Sequence, residues 1–135
     1  MTNKEIAKAW FANIDKKDFS AVRSLMHADH KFHNPMTPEA VGPDEHIGMM
    51  TMMTGSFEGE HKVELVLEDA THAIVRGRWV GKHTGEFNGI SATGNDVNFT
   101  FIDIFEIVDG KVRKEAFEMN GMAMMAQLGA VPAHA

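Results

Sequence analysis

Past Gly59 the apolar residues change their period, and that switch constrains the fold more than any other feature of the chain. Before it, Ile6, Trp10 and Ile14 recur at helical spacing behind Thr2 and Asn3, which predicts an amphipathic helix over residues 3 to 15. Asp18 is placed to cap a second short helix through FSAVRSLM, and residues 27 to 38 read as an extended segment and loop. Pro43-Asp44-Glu45 puts a proline and two acids in the first turn of a third helix that carries HIGMMTMMTGSF. After the switch, Val63, Leu65 and Leu67 alternate with Glu64 and Glu68. Val75, Gly77, Trp79, Gly81 and His83 then alternate with Arg76, Arg78 and Lys82, the two-residue repeat of a half-buried strand with its odd positions inward. NDVNFTFIDIFEIVDGKVRKEAFEM supplies two further β-rich runs split by an Asp109-Gly110 turn, and a short methionine-rich helix follows.

Helices first and a strand meander afterwards imply a segregated α+β domain, in which a curved antiparallel β-sheet wraps around N-terminal helices. A cone-shaped pocket between the layers is the natural result. With 135 residues there is room for one packed core, so one domain is expected over 1–130, with AVPAHA ending in a flexible C-terminal tail at 131–135.

Charge and composition narrow the function. The formal net charge is -6 and the basic residues are scattered, so the long-range field repels a phosphate backbone and no nucleic-acid partner is expected. The chain has no cysteine, which removes thiol nucleophiles and thiolate metal sites. No long uncharged apolar run or signal-like N-terminus is present, so no membrane partner is expected and a cytoplasmic location is the default.

The stretch GKHTGEFNGISATGNDVNFTFIDIFEIVDGKV and the later QLGA together resemble the SnoaL-like polyketide cyclase family of the nuclear transport factor 2-like superfamily. The resemblance is clearest over residues 79 to 130, and DHKFHNP is more loosely similar to an earlier His-x-Pro segment of the family. It implies a cone-shaped α+β barrel, a homodimer packed through the outer sheet face, and acid-base chemistry without a cofactor on a small hydrophobic molecule. The aspartate that acts as acid and base in the family's cyclases falls on Asn120, and a neutral amide cannot take that proton. By the same alignment, a tryptophan of the last strand is replaced by Ala116, and an assisting histidine falls near Phe105.

If chemistry survives, another carboxylate must supply it. Asp103 sits in FTFIDIF: with Phe99, Phe101 and Phe105 inward it lies in an aromatic pocket where desolvation raises its pKa, and in the opposite register it is exposed or paired across strands. His83 shares the inward face of its strand with Trp79 and reads either as the acid-base partner of Asp103 or as a hydrogen-bonded strand-end histidine. His33 and Asn34 are expected at the pocket mouth, where the resembling segment lies. Glu118 is two residues from Asn120 and either replaces the missing acid or faces solvent. Asn120 either donates its amide to a ligand or caps the last helix.

Met50 and Met53, with Met49, Met52, Phe57 and the methionines at 119, 122, 124 and 125, suit the walls of an apolar cavity or its core filling. His27, His30 and His33 sit on a segment that leaves a helix for an extended stretch, so their side chains splay and no metal site is expected. The chain has no tyrosine, which excludes an oxyanion hole built on a tyrosine hydroxyl. Three readings remain: a proton-transfer enzyme for aldol cyclisation, isomerisation or dehydration, with Asp103 and His83 as the acid-base pair; a ligand-binding domain without turnover; and an assembly domain. An empty cavity with inward polar groups separates the first two from the third.

Overall fold

The computed structural model describes residues 1–35 and 37–130; the expected tail at 131–135 lies outside the described residues. Helix α1 (Asn3–Asp15) begins in a capping box, in which the Glu5 N–H donates to Thr2 Oγ1 at 3.2 Å and the Thr2 N–H donates to Glu5 Oε1 at 2.8 Å. It buries Ile6, Ala7, Trp10 and Phe11, one stripe at helical spacing. Helix α2 (Phe19–Ser24) is capped by Asp18, and α3 (Pro43–Ser56) starts on its proline and buries His46 and Met50.

Between those helices the extended segment is a true strand, β1 (Met26–His33). The meander follows as β2 (Phe57–Glu68), β3 (His72–His83), β4 (Asp96–Val108) and β5 (Lys111–Met119), and α4 (Gly121–Gln127) closes the described chain. The sheet order is β1-β5-β4-β3-β2. All pairs are antiparallel except β1 with β5, which run parallel, so the sheet is mixed at one edge rather than wholly antiparallel. Asp109 and Gly110 join β4 to β5 with positive φ at both positions, 55° and 72°, the backbone that a tight hairpin needs.

Burial sets the register of β4: Val97, Phe99, Phe101, Asp103, Phe105 and Ile107 face inward, and Ile102 and Ile104 face out. In β3, Ala73, Val75, Gly77 and His83 are buried as the alternation predicted. A register shift between Val63 and Leu65 changes the pattern in β2, so Leu65 and Leu67 lie opposite Arg76 and Ile74 on the outer face. That irregularity breaks the simple alternation of the sequence. The outer face thereby collects exposed Leu65, Leu67, Ile74, Ile102 and Ile104. Among the described residues, no helix is long and apolar enough to cross a membrane.

Candidate active site

The concave face of the sheet holds a buried polar cluster in an otherwise apolar wall. Asp103 comes from β4, Glu115 from β5, His30 from β1 and His46 from α3, and each residue is at most 3% exposed. Trp10 of α1 packs over both histidines, with ring centroids 5.6 Å from His30 and 5.8 Å from His46, and meets Phe105 edge-on at 6.0 Å. Phe32 stacks on His46 at 3.7 Å with the planes 3° apart, which fixes that ring.

A line of polar contacts joins these groups. His30 Nδ1 lies 2.8 Å from the Val112 carbonyl oxygen, His30 Nε2 lies 2.9 Å from His46 Nδ1, and His46 Nε2 lies 3.5 Å from Glu115 Oε1. The Asp103 carboxyl adjoins that of Glu115 at the end of the line. Of the six buried side-chain N and O atoms without a hydrogen-bond partner among the described residues, four belong here: both oxygens of Asp103, Glu115 Oε1 and Trp10 Nε1. The Trp10 indole still favours the charged form of Glu115, without meeting it in hydrogen-bond geometry. Each such orphan costs ~1–3 kcal/mol, so the fold tolerates a local penalty at this spot.

Burial moves every titratable group of the cluster toward its neutral form. Desolvation pushes Asp103 well above the usual carboxylate range, and the neighbouring Glu115 charge adds to it. Desolvation also lifts Glu115 to about 7. Desolvation, then the His30 charge, takes His46 down to about 3, and desolvation lowers His30 as well. A carboxyl poised in this way can give or take a proton near neutral pH.

The structure does not bring Asp103 and His83 together. Asp103 pairs with Val75, eight residues before His83, or about 26 Å along a strand that rises about 3.3 Å per residue. His83 is fully buried beside Phe57 at the other end of the cone, and the Thr93 N–H donates to its Nδ1 at 3.2 Å. The ring hydrogen of a neutral His83 therefore sits on Nε2, which is buried and unpartnered.

The remaining predicted residues divide between the two faces. Phe101 is buried between Phe11 and Phe117, at 5.4 and 5.3 Å, and Met50 joins the same core. Trp79 stacks on Phe99 at 5.9 Å, and it and Met53 pack on the second cluster, with Phe57, Phe87, Met124 and Leu128. His33 is exposed and lines an outer-face groove of about 410 Å³ with His72, Ile104, Glu106, Lys114 and Ala116, so it is not at the mouth of the inner cone. Asn34 follows β1 and is half-buried. Glu118 is exposed and pairs across strands with Ile102, because Phe117 and Met119 take the inward positions, so it stands on the solvent side of the sheet. Asn120 caps α4, accepting the Ala123 N–H at 3.0 Å.

Sequence reasoning missed Glu115 and His46, and weighed His30 only as one of three histidines expected to splay apart. The signals were local: Glu115 stands two residues before Phe117 on the apolar face, His30 two before Phe32, and His46 four before Met50 on the α3 stripe. A second groove of about 750 Å³ lies between α1 and β2 and is lined by Phe11, Asp15 and His61 among others. Neither groove is lined by Asp103 or Glu115.

Known proteins place this arrangement in context. The chain is 28% identical over 106 residues, 74% of its length, to the aklanonic acid methyl ester cyclase DauD of Streptomyces sp. (strain C5), and the match spans 66% of that relative, just under two thirds. AclR of Streptomyces galilaeus, provisionally assigned as a hydroxylase, superposes with a TM-score of 0.89 at 20% identity, over 98% of this chain and 84% of its own. IdmH of Streptomyces antibioticus gives 0.85 at 18% identity, over 96% and 99%. A SnoaL-like protein of Jannaschia sp. CCS1 gives 0.84 at 24% identity, over 96% and 93%. These superpositions show a common fold, and the profile of one family runs through nearly the whole chain, from residue 4 to 128, so this protein belongs to the SnoaL-like polyketide cyclases.

Proposed function

We propose that this protein is an acid-base catalyst that needs no cofactor and acts on a small hydrophobic carbonyl compound, with Asp103 as the group that takes and returns the proton. The observation that carries the reading is the Asp103 carboxyl itself: fully buried, adjoined by the Glu115 carboxyl, and flanked on the inner wall by Phe101 and Phe105. In the step that this group suits, the Asp103 carboxylate removes a proton from the carbon next to a carbonyl, and the C–H electron pair becomes an enolate. The enolate carbon bonds to a second carbonyl carbon, and Asp103 returns its proton to the new alkoxide oxygen. No net electrons are exchanged. That a relative is named as a cyclase supports ring closure as the first of the three candidate reactions.

The wall around Asp103 would receive an apolar molecule against Phe101 and Met50, and Trp79 and Met53 extend that surface toward α4. Ligand binding must move some of these side chains, and methionine yields readily. The amide at Asn120 favours a second reading, a ligand-binding domain without turnover, and the seal over Asp103 favours a third, an assembly domain. We further propose a homodimer through the exposed apolar outer face of the sheet.

Exchange of the α-protons of benzoylacetone in D2O, followed by proton NMR, tests the main reading. Exchange catalysed by the protein and lost in Asp103→Asn supports it. Binding without exchange supports the second reading, and exchange that survives Asp103→Asn removes Asp103 from the mechanism.

A further inference from the structure

The hydrogen positions in the buried cluster follow from one backbone carbonyl. The Val112 oxygen can only accept, so His30 Nδ1, 2.8 Å away, carries a hydrogen. A neutral His30 then has a bare Nε2. It faces His46 Nδ1 at 2.9 Å, so that nitrogen must also carry a hydrogen. His46 is left with a bare Nε2, 3.5 Å from Glu115 Oε1. That distance is too long for a hydrogen bond, and Glu115 Oε1 has no partner, but a bare nitrogen facing the carboxyl disfavours a negative charge on it.

We propose that Val112, His30 and His46 form a polarised chain that holds a proton on Glu115, making Glu115 a positioning residue that keeps the neighbour of Asp103 neutral and frees Asp103 to ionise as a base. Only the consequence for catalysis rests on the Asp103 reading; the proton arrangement stands on the geometry. The titratable groups that meet here are His30 from β1, His46 from α3, Asp103 from β4 and Glu115 from β5, and α1 contributes the uncharged Trp10. An ionised Glu115 would pin the proton on Asp103 and leave it an acid. A neutral Glu115 removes that repulsion. Burial acts in the same sense, since it disfavours the alternative of a charged His46 against a charged Glu115.

The same three side chains, His30, His46 and Glu115, have ligand atoms within 4.8 Å of one another and could gather round a metal ion. The hydrogen-bonded chain fits them better. Nitrogens about 2.0–2.1 Å from a tetrahedral zinc stand roughly 3.4 Å apart. The facing nitrogens of His30 and His46 are 2.9 Å apart, with a hydrogen between them. A metal would have to break that bond.

Long-range proton–nitrogen NMR of the whole protein, labelled at histidine and held near pH 6, reads the tautomers directly. Both His30 and His46 should carry their hydrogen on Nδ1. The carboxyl-carbon titration of Asp103 gives the second readout, independent of any substrate. Glu115→Gln, a permanently neutral mimic, should leave the Asp103 midpoint within about half a pH unit of wild type, and His46→Phe or His30→Phe should move it up. A shift in the histidine variants without one in Glu115→Gln is not produced by general damage to the core. A His46 hydrogen on Nε2, an imidazolium, an Asp103 midpoint lowered by about a pH unit or more in Glu115→Gln, or stoichiometric zinc binding that perturbs both rings would overturn the proposal. Correct tautomers with unchanged proton exchange in Asp103→Asn would leave it standing and refute only the catalytic reading.

Discussion

The ring of His46 and the carboxyl of Glu115 meet 3.5 Å apart with 4% of either side chain exposed. In water such a pair would be ionised, and here burial favours the neutral form of both, since Glu115 rises to about 7 and His46 falls to about 3. This exchange of proton affinity gives the protein a pH response that can be worked out in sign.

The folded state binds a proton at Glu115 below about 7, and the unfolded chain binds one at His46 below 6.5. Between pH 6.5 and 4.5, the ordinary values of the two groups, both states hold equal numbers of protons, so the pair leaves stability level. Above about 7 the gain from Glu115 is lost, and below 4.5 the unfolded chain takes a second proton and stability falls. In Glu115→Gln the compensation is gone, and stability relative to wild type should fall by ~1.4 kcal/mol per pH unit as pH drops below the ordinary histidine range. Urea midpoints at about pH 7, 6 and 5 check this. Equal slopes in the two proteins would refute it.

Asp103→Asn should abolish proton exchange while the fold survives. Because burial raises the Asp103 pKa, its stabilising contribution is lost as pH rises, and an amide does not titrate. The variant should therefore gain stability relative to wild type as pH rises above about 4, the ordinary aspartate value, read from urea unfolding. A variant that loses ground over that range would show that Asp103 is stabilising as a charge.

Asn120→Ala should cost about 1 kcal/mol through loss of the α4 cap and leave proton exchange within about twofold. Thermal melting and the exchange assay separate the two effects. A large loss of exchange with little change in melting would return Asn120 to the chemistry.

Gly77→Ala should destabilise by roughly 1–3 kcal/mol, the usual range for overpacking. A Cβ at Gly77 would stand 2.4 Å from the Lys62 carbonyl oxygen and 2.9 Å from the Phe101 ring. Phe101 is next but one to Asp103 on the wall, so the Asp103 titration should shift with it. An unshifted carboxyl signal would mean that the strain is absorbed at β2.

Lysine at Ile102 and Ile104 together should give a monomer if the outer face joins two copies, since these residues are 47% and 41% exposed in the single chain. Sedimentation velocity reads the result. An unchanged mass would place the contact elsewhere or remove it.

Much of the architecture was written in periodicity. The capping residues, the proline at the start of α3, the odd-position burial of β3 and the Asp109-Gly110 hairpin each follow from a local rule and appear in the structure. The register of β4 was not legible, because Ile102 and Ile104 make its outer face as apolar as its inner one; only packing against α1 and β5 decides it. The polar cluster was legible only in pieces. Asp103 was recognisable, whereas the pairing of Glu115 with His46 depends on a helix and a strand 69 positions apart in the chain, which no periodicity encodes. His83 and Asp103 share an inward face, but a face says nothing about separation along the strand.

The parallel pairing of β1 with β5 has a consequence for synthesis on the ribosome. β1 stands at the sheet edge with β5 as its neighbour, so the backbone of residues 26 to 33 finds its partner strand only after residues 111 to 119 have emerged. His30 cannot reach the Val112 carbonyl before then. A chain stalled within β4 would hold an unpaired early strand and a solvated Asp103, so the proton-handling centre arises in one late event rather than by gradual assembly.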